Sequence, residues 1–288
     1  MHHPFPVIAV TGAAGQLGRA LQQQAPADGN ACFHYTDLPD LDICSLDDVR
    51  RYVATHHIEV VINAAAYTAV DRAEADEADA MRINADGVRN LAIAMSEVGG
   101  RIIHISTDYV FDGLSPHPYL ETDPTHPLSA YGRTKLAGEQ ALQDIGVPAV
   151  IIRTAWLYSE VGNNFLRTML RLGRERSDIN VVSDQVGTPT YAPHLADAIH
   201  TILRSPFVSG IYHYSNDGVC SWYDFARKII QLADLPCRVH PIETKDYPTP
   251  AVRPAYSVLS KTKIKQTYGI EGHHWEEPLL QAITRIKT

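Results

Sequence analysis

Cysteine is scarce in this chain. Four cysteines (Cys32, Cys44, Cys220 and Cys237) stand far apart in 288 residues, and no two form a C-x-x-C pair. That usage argues against a disulfide framework and fits a reducing cytosol. Long apolar runs are lacking as well: none reaches the roughly 18 residues of a membrane span. The stretch Met1–Pro6 has no charged n-region, and Val7–Val10 is too short for the apolar core of a signal peptide. A cytoplasmic protein that does not engage membranes is expected. No basic run stands out and the formal net charge is −8, so no nucleic-acid partner is expected. Histidine is plentiful, at 14, but His2-His3, His56-His57 and His273-His274 are adjacent pairs and no H-E-x-x-H occurs. No catalytic metal is therefore expected. Internal repeats and low-complexity segments are missing too.

What is present is a globular composition, 45% hydrophobic and 20% charged. It supports a sizeable core in one large domain or two unequal ones. The first half alternates short apolar runs with amphipathic stretches. Val7–Thr11, Ala31–Tyr35, Val60–Asn63, Ile102–Ile105 and Val150–Arg153 read as strands buried on both faces. Ser45 opens an S-x-x-D capping box with Asp48, ahead of a helix to about Thr55. Asn84–Glu97 and Tyr131–Leu142 are further helices. Such alternation predicts an α/β fold with a parallel sheet covered on both faces. The second half is less regular, with helices over Asn164–Arg176, Pro193–Leu203 and Trp222–Leu232, and a strand at Ile211–Tyr214. Ser221 is a plausible N-cap for the third of those helices. From Pro236 to Pro254 prolines are dense, and irregular backbone is expected.

The first strand runs into Gly12-Ala13-Ala14-Gly15-Gln16-Leu17-Gly18. Glycine suits a tight turn and lets a pyrophosphate approach the backbone N–H groups, with the positive end of the next helix behind it. The position after the first strand marks a dinucleotide site. An acid about 20 residues on meets the adenosine ribose in such folds. Asp37 fits that place, with Asp40 nearby, and Asp42 with Ile43 fits the adenine end. Arg19 instead suits a 2′-phosphate, so NADH and NADPH both remain open.

Tyr131 and Lys135 stand four apart, on one face of a helix. Reduction of a ketone needs a proton donor at the carbonyl oxygen, and an ammonium beside a phenol lowers its pKa towards neutrality. Ser106-Thr107-Asp108 ends the fourth strand, where ligands bind in open α/β sheets. Thr107 is thereby placed over the crevice of the glycine loop. Trp156 suits stacking on a sugar or base as well as it suits a core. Arg253, in the proline-rich loop, suits a diphosphate or plain solvation.

Gly12-x-x-Gly15-x-x-Gly18, Asn63-Ala64-Ala65-Ala66, Ser106-Thr107-Asp108 and Tyr131-x-x-x-Lys135 together resemble the extended short-chain dehydrogenase/reductase superfamily. Longer stretches resemble its reductases of dTDP-linked 4-keto sugars. They are Asn63–Glu74, Ser106–Gly113, Tyr131–Glu139, Arg153–Tyr158, Gly162–Phe165, Asp184–Thr190 and Tyr247–Pro254. The resemblance implies a Rossmann-type doubly wound sheet with a smaller C-terminal substrate-binding domain. Residues 1–158 would bind the dinucleotide, with 179–213 returning to them, while 159–178 and 214–288 would bind substrate. It implies Thr107, Tyr131 and Lys135 as the catalytic set. Gly12, Gly15, Gln16, Leu17 and Gly18 would hold the phosphates, and Asp37, Asp42 and Ile43 the adenosine. Ala66, Tyr67 and Thr68 would flank the cofactor, with Tyr131 and Lys135 also touching it. Thr107, Asp108, Trp156 and Arg253 would meet a nucleotide sugar. The implied reaction is hydride transfer from NADPH or NADH to C4 of dTDP-4-dehydro-β-L-rhamnose. Dehydratases of the superfamily carry Thr-Asp-Glu after the fourth strand, where this chain has Tyr109. An epimerase, which retains its cofactor, and a non-catalytic regulatory subunit are the other readings the superfamily offers. Ala20 stands where some members carry an acidic residue of a metal-bridged dimer, so the expected state is a monomer or homodimer without that bridge.

Overall fold

The computed structural model of the chain describes residues 6–25 and 31–287. The His2-His3 pair lies outside them. The chain opens with β1 (Val7–Thr11), α1 (Gln16–Gln23), β2 (Cys32–Thr36), α2 (Leu46–His56) and β3 (Val60–Asn63). Two short helices, α3 (Val70–Ala73) and α4 (Glu77–Met81), lead through a π-helical turn at Arg82–Asp86 into α5 (Gly87–Glu97) and β4 (Arg101–Thr107). A 3₁₀ turn at Asp108–Val110 precedes α6 (Ala130–Ile145) and β5 (Ala149–Thr154). Then come β6 (Leu157–Tyr158), α7 (Phe165–Glu175), β7 (Asp178–Val182), β8 (Val186–Gly187), β9 (Thr190–Tyr191) and α8 (Ala192–Arg204). The last elements are β10 (Gly210–His213), β11 (Cys220–Ser221), α9 (Trp222–Ala233), β12 (Arg238–Ile242), α10 (Thr262–Tyr268) and α11 (Glu276–Lys287).

Six strands form a parallel sheet in the order β2-β1-β3-β4-β5-β10. Every residue of β1, β3 and β5 is buried, as continuous apolar strands between two helical layers must be. Leu17 and Leu21 of α1, Leu195 and Ile199 of α8 and Ile264 of α10 cover one face. Val49 and Val53 of α2, Leu91 and Met95 of α5 and Leu142 of α6 cover the other. The sheet is therefore doubly wound and Rossmann-type. From β1 the chain turns one way to β2 and the other way to β3, so the ligand crevice opens between β1 and β3 at their carboxyl ends.

A separate core packs Leu166 of α7, Ile179 of β7, Phe225 and Ile229 of α9 and Leu279 of α11. Of the segment 179–213, β10 joins the main sheet and α8 packs on its face, whereas β7 pairs with β12 and packs into this second core. Ile264 and Tyr268 of α10, from the segment 214–288, lie in the main core instead.

Several local expectations meet a different outcome. The proline-dense stretch after Pro236 contains a real strand, β12, which takes all five of its pairings from β7. Pro241 is tolerated there because, among the described residues, no second strand is paired to β12. At α2 only half of the capping box forms: Ser45 accepts from the Asp48 N–H, but the Asp48 carboxylate accepts from Asp42 N at 2.7 Å. The full reciprocal box occurs at α9, between Ser221 and Asp224. The helix expected from Asn84 begins with the π-helical turn, and regular α-helix starts only at Gly87.

Candidate active site

Gly12 has φ +68°, and a Cβ there would lie 2.6 Å from Ala65 N at the end of β3. A Cβ on Gly18 would lie 2.4 Å from the Gly12 carbonyl oxygen. These two glycines let the loop fold onto itself and onto β3. Gly15 caps α1 with no side-chain hydrogen bond. The first N–H groups of the helix, which lack intrahelical partners, are thus left for an anion. This cradle fits a pyrophosphate. Gln16 has a second engagement: its Oε1 accepts from Ser159 Oγ at 3.0 Å and from Asn164 Nδ2 at 2.8 Å. The loop is thereby tied to the 159–164 segment on the far side of the cleft.

At the adenosine end, Asp37 Oδ2 accepts from Ala14 N at 3.0 Å, and Arg19 Nε donates to Ala14 O at 2.9 Å. The carboxylate suited to a ribose diol and the guanidinium suited to a 2′-phosphate therefore flank one residue. Asp42 turns its Oδ1 to Cys44 N, 2.9 Å away. Ile43 is buried in the core under α2 and α5 and still reaches the cleft wall.

Helix α6 carries the reactive pair and is fixed from several sides. Ser129 accepts from Gly132 N at 3.1 Å and Glu74 Oε1 accepts from Ala130 N at 2.8 Å. Arg133 grips Glu77 with two bonds, 3.0 and 2.8 Å long. A Cβ on Gly132 would lie 2.2 Å from Tyr109 O, and one on Gly138 would lie 2.2 Å from Asn84 O. Asn84, in the π-helical turn, donates to Thr134 Oγ1 at 3.1 Å and accepts from Tyr67 N at 2.9 Å. The turn thus clamps α6 to the segment after β3.

Burial pushes the Tyr131 phenol up to about 12, opposed by a hydrogen bond with the Thr107 hydroxyl and reinforced by the Asp108 charge. The sequence suggested that Lys135 lowers that pKa, but burial dominates it, and the hydrogen bonds of the lysine itself go elsewhere. Its Nζ donates to Ile105 O at 2.6 Å and stands 3.5 Å from His104 Nε2. Burial pulls Lys135 down to about 8, against the Glu139 charge, which favours the ammonium. The consequence is a tyrosine held firmly protonated, the form that donates a proton in a reduction. Asp108 is buried at the end of β4, and burial raises it to about 6. Its Oδ2 has no hydrogen-bond partner among the described residues. Tyr109 meets Tyr131 edge-on with ring centroids 5.6 Å apart, and burial pushes its phenol above the ordinary range.

Gly12, Gly15, Gln16, Leu17, Gly18, Asp37, Asp42, Ile43, Ala66 and Thr68 line one cleft, together with Thr107, Asp108, Tyr131, Lys135 and Trp156. Its volume of about 810 Å³ suits a bound cofactor. Two expected residues stand outside its lining. Tyr67 packs on the cluster of Ala73, Ala80 and Ala130 that Tyr131 also touches, and bonds through its hydroxyl to Asp76 Oδ2 at 3.3 Å. Arg253 is held in a two-pronged pair by Asp71, at 2.9 and 2.7 Å.

Trp156 does line the cleft, at φ +49°, a backbone conformation that costs a non-glycine residue energy and clusters at functional sites. It stacks on Trp222 of α9, which also lines the cleft. Sequence reasoning took Trp222 only as a helix start. The signal was a tryptophan directly after an N-cap serine, but nothing local pairs it with Trp156. Among the described residues no group of three or more His, Cys, Asp or Glu is placed to hold a metal ion, and no helix is long and apolar enough to cross a membrane.

Comparison with known proteins gives a consistent result. The chain matches the RmlD substrate binding domain family over residues 7–288. It is 42% identical over 284 residues to the dTDP-4-dehydrorhamnose reductase of Aggregatibacter actinomycetemcomitans, covering 94% of this chain and 96% of that protein. Among solved structures it resembles a dTDP-4-dehydrorhamnose reductase from Clostridium acetobutylicum, with a TM-score of 0.95 and 42% identity over 98% of this chain and all of that one. The Bacillus anthracis enzyme of the same name, solved in complex with NADP, gives a TM-score of 0.94 at 38% identity, covering 98% of this chain and 99% of that one.

Proposed function

The chain belongs to the RmlD substrate binding domain family, and from that premise we propose that it reduces the C4 keto group of dTDP-4-dehydro-β-L-rhamnose, giving dTDP-β-L-rhamnose. The reductant is NADPH or NADH; a relative with this fold is solved with NADP. The observation that carries the reading is the meeting of Thr107, Asp108, Tyr131 and Lys135 with the glycine loop in one cleft.

The dinucleotide, when bound, supplies the hydride. The chain's own residues do the rest. The backbone around Gly12, Gly15, Gln16, Leu17 and Gly18 holds the pyrophosphate, with the α1 N-terminus behind it. Asp37, Asp42 and Ile43 border the adenosine, and Ala66 and Thr68 border the rest of the cofactor, with Tyr67 behind them. Thr107 and Tyr131 converge on the sugar oxygen at C4. Tyr131, kept protonated by burial, gives its proton to that oxygen as charge develops on it, and Thr107 orients the phenol. The buried Lys135 ammonium stabilises the phenolate left behind. The unpartnered Asp108 carboxylate oxygen accepts from a sugar hydroxyl, and Trp156 packs on the sugar nucleotide. Arg253 meets the diphosphate by exchanging Asp71 for it.

The main-sheet unit takes the dinucleotide, and the helical unit of α7, α9 and α11 takes the sugar nucleotide. The protein works in the cytoplasm as a monomer or homodimer and feeds rhamnose-containing polysaccharide synthesis. The test is NAD(P)H oxidation with dTDP-, UDP- and GDP-linked 4-keto sugars and both cofactors. Turnover is expected with the dTDP-linked sugar; preference for another nucleotide overturns the substrate assignment.

A further inference from the structure

One row of the central sheet is polar from strand to strand. Thr11 of β1 is in register with Asn63 of β3, and Asn63 with His104 of β4. The row before it is Val10, Ile62 and Ile103. Thr11, Asn63 and His104 are only 2%, 1% and 0% exposed. Thr11 Oγ1 and Asn63 Oδ1 are 2.7 Å apart, and Asn63 Nδ2 and His104 Nδ1 are 3.1 Å apart. His104 Nε2 then faces Lys135 Nζ. A buried polar ladder running from the glycine-loop strand to the lysine is costly unless every contact is satisfied.

The ladder can be satisfied in two senses. A charged Lys135 has only donors. One goes to Ile105 O, and the one towards His104 needs a lone pair on Nε2. The imidazole proton then sits on Nδ1 and goes to the Asn63 amide oxygen, while the amide NH₂ goes to the Thr11 hydroxyl. A neutral Lys135 reverses each bond: Nε2–H donates to the amine, Nδ1 accepts from the Asn63 NH₂, and Thr11 donates to the amide oxygen. A half turn of the Asn63 amide exchanges the two senses without moving the ladder, so the charge of Lys135 selects between them, and the ammonium selects the first. Mixing the two sets donor against donor.

We propose that His104, ordered by Asn63 and Thr11, is a positioning residue that fixes the place of the Lys135 side chain and tunes its charge state. The inference rests on the reading of Lys135 as part of the acid pair. Burial and the Lys135 charge keep His104 itself far below the ordinary imidazole value, so it serves as a neutral acceptor. The other groups facing Lys135 are Glu139 and Tyr131 on its own helix. Glu139 is in turn bound by Arg153 of β5, at 2.7 Å, and by the Ser106 hydroxyl of β4. Asp108 lies beyond the phenol. Among the described residues, none of these groups hydrogen-bonds to His104, whose side-chain hydrogen-bond partners are Asn63 and Lys135.

The test compares His104→Gln, whose amide reaches towards Lys135, with His104→Asn, which reaches Asn63 but falls short of the lysine. Lys135 is titrated directly through the ¹³C shift of its ε-carbon, assigned by the loss of that signal in Lys135→Arg. Thermal melts confirm that both variants fold. Loss of a hydrogen bond to a charged group should lower the lysine pKa by about one unit in His104→Asn, with His104→Gln within about half a unit of the parent. The alkaline limb of kcat should move with it while KM for the nucleotide sugar stays within about twofold. Equal titration of Lys135 in the parent and both variants, or equal shifts in the two variants, overturns the positioning role. This readout needs no turnover. A parent that titrates as described but reduces no 4-keto sugar overturns the functional reading alone.

Discussion

Trp156 and Trp222 lie face to face, with ring centroids 3.5 Å apart and planes 8° from parallel. One comes from the loop after β5 in the main sheet and the other from the first turn of α9 in the smaller unit. Both line the cleft, so the stack joins the two units where the sugar nucleotide would enter. Trp222→Ala removes the stack without touching the glycine loop. An aromatic pair contributes about 0.5–1.5 kcal/mol beyond area, so KM for the nucleotide sugar should rise about 2- to 10-fold. Dinucleotide affinity should not change. Steady-state kinetics with each substrate varied in turn checks this; a rise in the dinucleotide KM alone would place the stack elsewhere in the mechanism.

Tyr131→Phe removes the acid and keeps the ring that packs against Tyr109. kcat should fall by about 10²- to 10⁴-fold, the usual contribution of a positioned proton donor. Fluorescence titration should still show NADPH binding. Unchanged turnover in this variant would remove Tyr131 from the reaction.

Gly12→Ala combines a left-handed φ with a contact against the backbone of Ala64 and Ala65. The φ alone costs about 1–2 kcal/mol, and the contact adds to it. The melting temperature should drop by several degrees and dinucleotide binding should weaken. A melt equal to that of the parent would show that the loop has room which the structure denies it.

Stability should fall as the medium is acidified. Burial lowers His213 to about 3 and His104 well below its ordinary value. For a base whose folded pKa is depressed, the unfolded chain binds the proton first. The stabilisation is therefore complete above about pH 6.5 and is lost as pH falls below it, at about 1.4 kcal/mol per unit for each histidine. Asp108, raised to about 6, works the other way, since the folded chain takes its proton before the unfolded one. His213 and His104 against Asp108 leave a net loss of about 1.4 kcal/mol per unit between pH 6 and 5, and His34, His194 and His200, also lowered by burial, act in the same direction. Urea midpoints measured across that window should decrease; a midpoint that rises would contradict these burials.

Much of this was legible in the chain. Val7–Thr11 and Val60–Asn63 are strands with the expected bounds because a strand covered on both faces leaves an unbroken apolar run. Gly12 and Gly18 declared the loop because no other residue fits those contacts. Other features depend on partners distant in sequence. Strand β12 exists because β7 lies beside it, and its prolines gave the opposite signal. The Asn63–His104 contact joins residues 41 apart, and His104 sits inside a run that reads as apolar. The Arg253–Asp71 pair spans 182 residues. The Tyr131 pKa went the other way because the spacing shows that Tyr131 and Lys135 share a helix face, and shows neither the burial that raises the phenol nor the carbonyl and imidazole that engage the lysine.

The most direct test of reduction at C4 follows the hydrogen itself. The protein is incubated with dTDP-4-dehydro-β-L-rhamnose and NADPH or NADH deuterated at the transferring position of the nicotinamide, and the product is read by NMR. The prediction is one deuterium at C4 of dTDP-β-L-rhamnose for each dinucleotide oxidised. Deuterium absent from C4, or conversion of the sugar with tightly retained NAD and no oxidation of added NAD(P)H, would contradict it.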